Sequence, residues 1–183
     1  LPFEHATLFG CAVMTGTGAA FNTANVRPGQ SVAVFGLGGV GLSALMGAKA
    51  CAAGQLIAVD LLESKLELAR ELGATDTVNA DECDPVEAIR DLTNGGVEIA
   101  IESVGNVKVL EQAYKSSMRG GTTVAIGLPH PKHELKIPAV TLCAEEVCPV
   151  VSASVRRLAW TLPDPAGYPG SEIDHRARFR TVR

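Results

Sequence analysis

Gly36, Gly38, Gly41 and Asp60 are the residues whose types and spacing point first to chemistry. The run G-L-G-G-V-G at 36–41 follows directly on five apolar or small residues, S-V-A-V-F at 31–35, and opens a stretch of small and apolar residues at 40–53. A second apolar run at 55–59 ends in Asp60. A strand, a glycine-rich turn, a helix and a second strand in this order form a cradle for a dinucleotide pyrophosphate. Gly36 permits the tight turn out of the strand, Gly38 lets the phosphates reach the backbone, and Gly41 lets the helix lie close to the strand. Gly39 and Val40 complete the loop, and the helix start offers free N–H groups and the positive end of its dipole. Asp60, about twenty residues beyond the last glycine, can accept hydrogen bonds from both ribose hydroxyls. It would repel a 2′-phosphate, which favours NAD over NADP. A glycine-rich turn without a ligand, or a methyltransferase-type nucleotide loop, would carry the glycines without the terminal acid.

The elements that must position these residues alternate along the chain. Residues 63–72 have helical periodicity and stop at Gly73, and 75–79 read as a third strand. Asp84-Pro85 is a helix cap followed by proline at the first helical position, opening a helix toward Leu92. A turn at Asn94-Gly95-Gly96 leads to a strand at 97–102, a helix at 107–118, a turn at Gly120-Gly121 and a fifth strand at 122–126. Repeated βα units of this kind predict an α/β fold with a Rossmann-type doubly wound parallel sheet. In such sheets ligands bind at the carboxyl ends of the strands. Gly36, Asp60, Glu102 to Gly105 and Gly127 all fall at those ends.

A chain of 183 residues with 19 glycines and few aromatics is long enough for one sizeable core. A net charge of −4 gives no electrostatic footprint for nucleic acid, and no apolar run approaches the roughly 20 residues of a membrane span. The five cysteines include no C-x-x-C pair, which argues against a local structural zinc. Their odd number, without a secretory signal, points to reduced thiols and a cytoplasmic protein. The first residue is not Met, so the expectation is a fragment. His130 and His133 flank Pro131 in a loop and read as solvated side chains.

Beyond the glycine loop, the segment G-C-A-V-M-T-G-T-G-A-A at 10–20 and the run VRPGQSVAVFGLGGVGL resemble the zinc-dependent alcohol dehydrogenases of the medium-chain dehydrogenase/reductase superfamily. Their flavour is that of the class III, formaldehyde-dehydrogenase-like branch. IESVGNVKVLEQAY and GGTTVAIGLPH continue the likeness, which runs to about Glu146. The resemblance implies oxidation of a small alcohol by NAD⁺ to an aldehyde or ketone and NADH. It matches Cys11 to a catalytic-zinc ligand and Thr15 to the residue packed on the nicotinamide ring. Gly38, Gly39 and Val40 match the pyrophosphate positions, and Asp60 the ribose acid. Lys65 matches a lysine reaching the adenosine ribose, Val104 the closure of the adenine cleft, and Ile126 and Leu128 the backbone contacts to the carboxamide. Glu102 would orient backbone or support a zinc shell.

The resemblance also marks departures. The family's other zinc ligands and its four-cysteine lobe have no counterpart here, so no intact catalytic set is expected and the chain alone should be inactive. The expected organisation is 1–25 as a catalytic-domain junction carrying Cys11, 26–150 as the NAD-binding domain, and 151–183 as a poorly ordered tail rich in Arg and Pro. The sixth strand is expected to be altered or missing, with residues 147–153 able to form an edge strand. The change of character after about residue 146 fits a shifted reading frame, which comparison of neighbouring frames would test. The family pairs its cofactor domains through the segment matching 135–142, where L-K-I-P-A-V-T-L reads as a strand. A homodimer through the sheet edge is the corresponding expectation. A non-catalytic NAD-binding module and a nonfunctional fragment are the alternatives.

Overall fold

The computed structural model describes Thr7, residues 9–144 and residues 147–151. Of the poorly ordered tail expected at 151–183, all but Val151 lies outside the described residues. Six parallel strands form one sheet in the order β3-β2-β1-β4-β5-β6. They are β1 (Ser31–Phe35), β2 (Gln55–Asp60), β3 (Asp76–Asn79), β4 (Val97–Glu102), β5 (Ser117–Ala125) and β6 (Cys148–Val151). The order reverses between β1 and β4, so the crevice of a doubly wound sheet opens beyond the ends of those two strands.

Alternation along β1 explains how the sheet is covered on both faces. Val32 and Val34 point into one apolar cluster with Leu45, Leu56, Leu66 and Ile101. Ala33 and Phe35 point into the other with Ile57, Val59, Val78 and Ile89. A strand buried on both faces reads as a continuous apolar run, which is why S-V-A-V-F lacks polar alternation. Each buried Leu, Ile or Phe contributes roughly 1.5–3 kcal/mol.

The first helical segment, α1, consists of three contiguous pieces. Phe9–Val13 and Ala19–Thr23 are wound as π-helix, and Met14–Gly18 as α-helix. It lies on α2 (Gly39–Ala50), so α2 is covered on its outer side as well as by the sheet. That double burial accounts for the apolar, small-residue composition of α2. Gly16 is the point of closest approach: a Cβ there would fall on the Val40 carbonyl and stand 2.6 Å from Ala44 N.

The remaining helices begin and end where the sequence signals them. α3 (Glu63–Leu72) stops at Gly73, whose φ of 112° is left-handed. α4 (Pro85–Thr93) is capped by the Asp84 carboxylate, which accepts a hydrogen bond from Val86 N, and ends at left-handed Asn94. α5 (Val107–Ser116) is capped by the Asn106 side chain, which accepts from Lys108 N.

Three expectations need adjustment. The helix expected to reach residue 118 ends at Ser116, and β5 starts at Ser117 rather than 122. The buried Ser117 hydroxyl pairs with Thr123 at 2.9 Å, and a register shift between Val97 and Ile99 absorbs the extra residues. The sixth strand is present, pairing Thr122 with Cys148 and Thr123 with Pro149. Pro149 lacks a donor, and its place on an edge strand makes that tolerable. The strand expected at 135–142 is not formed. Ala139–Ala144 is a helix, α6, whose first turn is held by the Pro138 carbonyl accepting from Thr141 N and from its hydroxyl. Apolar alternation was the only strand signal there, and the proline together with local bonds to Thr141 favours the turn.

Gly16→Ala should cost about 1–3 kcal/mol, the usual scale of overpacking, because the added methyl meets backbone that cannot rotate away. Urea unfolding of the variant beside the parent protein measures it. An unchanged midpoint would mean that α1 can lift off α2 without loss.

Candidate nucleotide-binding site

The turn between β1 and α2 is built by two glycines that no larger residue can replace. Gly36 has a φ of 86°, and a Cβ at Gly41 would fall on the Gly36 carbonyl. Gly38 is exposed and a Cβ there would meet nothing within 4 Å, so the space in front of the loop is open. No side chain caps the N-terminus of α2. Its first N–H groups, from Gly39 onward, are therefore available to an anion.

Asp60 ends β2 beside this turn. Its Oδ2 accepts from Leu37 N at 2.7 Å and lies 3.4 Å from Lys65 Nζ. Its Oδ1 accepts from Leu61 N at 2.9 Å and Leu62 N at 3.2 Å. The carboxylate is thus oriented by backbone on both sides, with Lys65 as a half-exposed counter-charge. A cleft of about 560 Å³ opens here, and Gly36, Gly38, Asp60, Lys65 and Val104 all line it. Leu61, Leu62, Ala80, Val109 and Gln112 also line it and were not singled out from the sequence, whereas Ser103 fell within the strand-end stretch Glu102 to Gly105. The other five have position as their only signal, next to strand ends or on the inner side of α5.

Glu102, at the end of β4, is buried and holds the neighbouring loops together. Its Oε1 accepts from Val104 N and Gly105 N, both at 2.7 Å. Its backbone carbonyl accepts from Ile126 N at 2.8 Å and Gly127 N at 3.2 Å. Glu102 therefore orients backbone. Burial pushes its carboxyl above the ordinary carboxylate range, and the N–H groups of Gly105, Val104, Asn106 and Gly127 oppose that shift without overcoming it.

The residues expected around the nicotinamide lie outside the cleft. Thr15 is buried in α1, near the α2 N-terminus, where a Cβ at Gly39 would stand 3.4 Å from Ala12. Ile126 donates its N–H to the Glu102 carbonyl at 2.8 Å. Leu128 is 93% exposed. The cleft thus takes in Gly36, Gly38, Asp60, Lys65 and Val104 but not Thr15, Ile126 or Leu128.

Cys11 is exposed, and among the described residues no group of three or more His, Cys, Asp or Glu side chains could hold a metal. A catalytic zinc takes three protein ligands, so one thiolate does not fit it. His130 and His133 are exposed neighbours with ring centroids 5.3 Å apart, and they add no third donor. Among the described residues no helix is long and apolar enough to cross a membrane.

A parallel sheet of this order, a glycine turn with an open helix start and an acid at the end of β2 together define a Rossmann-type nucleotide-binding domain. Residues 39–161 match the family model described as zinc-binding dehydrogenase, and the chain belongs to that family. An S-(hydroxymethyl)glutathione dehydrogenase of Synechocystis sp. is 48% identical over 128 residues, a match covering 68% of this chain and 35% of the relative. An Escherichia coli protein of the same description is 47% identical over the same length. The chain thus spans about a third of the length of these curated relatives. Among solved structures, an alcohol dehydrogenase zinc-binding domain protein from Burkholderia ambifaria superimposes with a TM-score of 0.81 at 39% identity, over 84% of this chain and 42% of that one. Benzyl alcohol dehydrogenase from Acinetobacter calcoaceticus gives 0.81 at 37% identity, over 85% and 43%. A zinc-binding dehydrogenase from Sinorhizobium meliloti, solved with NADP bound, gives 0.75 at 28% identity, over 81% and 46%.

Glu102→Ala leaves the buried N–H groups of Val104 and Gly105 without their acceptor and should cost about 1–3 kcal/mol. The raised carboxyl pKa fixes the sign of the pH dependence. The folded state holds this proton more tightly than the unfolded chain, whose glutamates titrate near about 4.3. That contribution is complete below the unfolded pKa and is lost as the pH rises through the folded one. The gap between parent and variant, measured by urea unfolding across pH, should be widest near pH 4 and narrow above it. A gap independent of pH would show an ordinary carboxyl.

Proposed function

We propose that this chain binds NAD(H) as the cofactor-binding portion of a zinc-dependent alcohol dehydrogenase, which oxidises a small alcohol to an aldehyde or ketone with NAD⁺. The observation that carries the reading is the placement of Asp60 beside the open glycine turn, on the wall of a cleft of about 560 Å³. The adenosine ribose would sit against Asp60 and Lys65, and the pyrophosphate against the N–H groups at the start of α2. Val104 would close one side of the adenine cleft. Thr15 and the backbone at Ile126 and Leu128 would face the nicotinamide. The bound cofactor would accept or donate hydride, and the chain's own residues would bind and orient it.

Asp60 supports NAD over NADP, since a 2′-phosphate would meet a carboxylate already held in place by three N–H groups. The S. meliloti neighbour was solved with NADP, so selectivity belongs to the local residues and not to the fold. The alcohol, or a thiol adduct in its place, would be recognised by parts of the longer relatives that this chain does not span.

Parallel titrations with NADH and NADPH, followed by thermal unfolding, test the reading. Ligand at ten times its Kd adds roughly 1.4 kcal/mol, a rise of about 3–6 °C for a folded unit of this size. A clear rise with NADH and a much smaller one with NADPH is expected, and a cooperative transition unmoved by either would refute NAD binding. Because Cys11 alone cannot hold a catalytic zinc, the purified chain with zinc, NAD⁺ and primary alcohols should form no NADH above background. Zinc-dependent turnover would overturn that expectation.

A non-catalytic NAD-binding module that self-associates is the second reading. It is favoured by β6, which among the described residues pairs with β5 alone and ends the sheet. Light scattering coupled to size exclusion would show a dimer on this reading and a monomer otherwise.

A further inference from the structure

The glycine turn is held from both of its neighbouring strands by backbone and side-chain groups of this chain. From the β2 side, Gly36 N donates to the Val59 carbonyl at 2.8 Å, and Leu37 N donates to Asp60 Oδ2 at 2.7 Å. From the β4 side, the Ser103 hydroxyl lies 3.0 Å from the Phe35 carbonyl and 2.9 Å from the Gly36 carbonyl, sharing its proton between them. Ser103 N also donates to the Phe35 carbonyl at 3.0 Å. The hydroxyl sits where the turn is most crowded, 2.7 Å from the position a Cβ on Gly41 would take.

We infer that Ser103 is a positioning residue for dinucleotide binding: with Asp60 it clamps the β1–α2 glycine turn in its phosphate-accepting shape before any ligand arrives. The inference rests on the NAD-binding reading for its consequence and on these hydrogen bonds for the clamp. Gly36 and Gly38 have wide conformational freedom, so a turn without the clamp would spread over many shapes. A ligand would then bear the ordering cost on binding. Ser103 would act only through the carbonyls it holds. Asp60 would have two tasks, ribose recognition and turn anchoring, so removing its charge to admit NADP would also loosen the loop that must receive the phosphates.

The test compares Ser103→Ala with the parent chain in two measurements. The first is amide hydrogen exchange without ligand, resolved at residues 36–41. The parent should protect the Leu37 amide, and Ser103→Ala should speed exchange across the turn at least fivefold while the β2 and β5 amides stay unchanged. The second is binding of ADP-ribose and of AMP. ADP-ribose, which reaches over the helix start with its pyrophosphate, should weaken about five- to tenfold. AMP should weaken less, because its ribose contact with Asp60 is retained. Equal losses for the two ligands, or an unchanged ADP-ribose Kd with unchanged exchange, would overturn the proposal. If the parent binds neither nucleotide, the NAD-binding reading fails while the exchange data still decide the clamp. If Ser103→Ala does not fold, rapid exchange of Leu37 in the ligand-free parent refutes a preformed turn, and slow exchange supports it.

Discussion

Close contact between α2 and the end of β1 is the constraint on which the rest of this structure depends. A Cβ at Gly41 would fall on the Gly36 carbonyl, so the helix can start where it does only with glycine there. That approach brings the uncapped helix start to the mouth of the crevice between β1 and β4. It also fixes α2 close to the sheet, so that a second helix can lie across it. Gly16 repeats the same condition one layer further out, against the Val40 carbonyl. The core is therefore a stack of close backbone approaches, and its scarcity of aromatic residues follows from the thinness of the gaps.

The polar groups near the crevice serve this geometry. Asp60, Ser103 and Glu102 stand at the ends of β2 and β4 or just beyond, and each accepts from or donates to backbone of an adjacent loop. Such polar side chains are tolerated because, among the described residues, no buried side-chain nitrogen or oxygen lacks a hydrogen-bond partner. Glu102 shows the tension most clearly, since burial disfavours its charge while four N–H groups favour it. Loops held in this way enter a ligand complex with less ordering left to do. On the side where Leu128 is exposed, no comparable enclosure exists among the described residues.

Membership in the zinc-binding dehydrogenases and the composition of the site agree on a division of labour. This chain carries the glycine turn, the acid and the cleft, while among the described residues Cys11 stands without companions that could complete a metal site. A chain spanning about a third of its curated relatives can keep a nucleotide site because that site is built almost wholly within one doubly wound sheet. A zinc centre assembled from distant segments has no such independence.

The sequence by itself determined the alternation of strands and helices from β1 to α5, the glycine turn, the acid at the end of β2 and the caps at Asp84 and Gly73. Each of these is a local property: an apolar run, a permitted φ, or a side chain reaching its own backbone two residues on. Tertiary structure decided what depended on partners far along the chain. Residues 135–142 alternate like a strand, but their second half is helical, and Thr141 there meets the Tyr114 hydroxyl at 3.0 Å from 27 positions away. Residues 117–121 join β5 because Ser117 finds Thr123 and the register against β4 can shift. The sequence places Ser103 at a strand end and no more, and it acquires its hold on the turn only when β4 lies beside β1, 67 positions from the carbonyl of Gly36. Contacts of that range leave no periodic trace, since pairing of strands and not spacing along the chain brings the groups together.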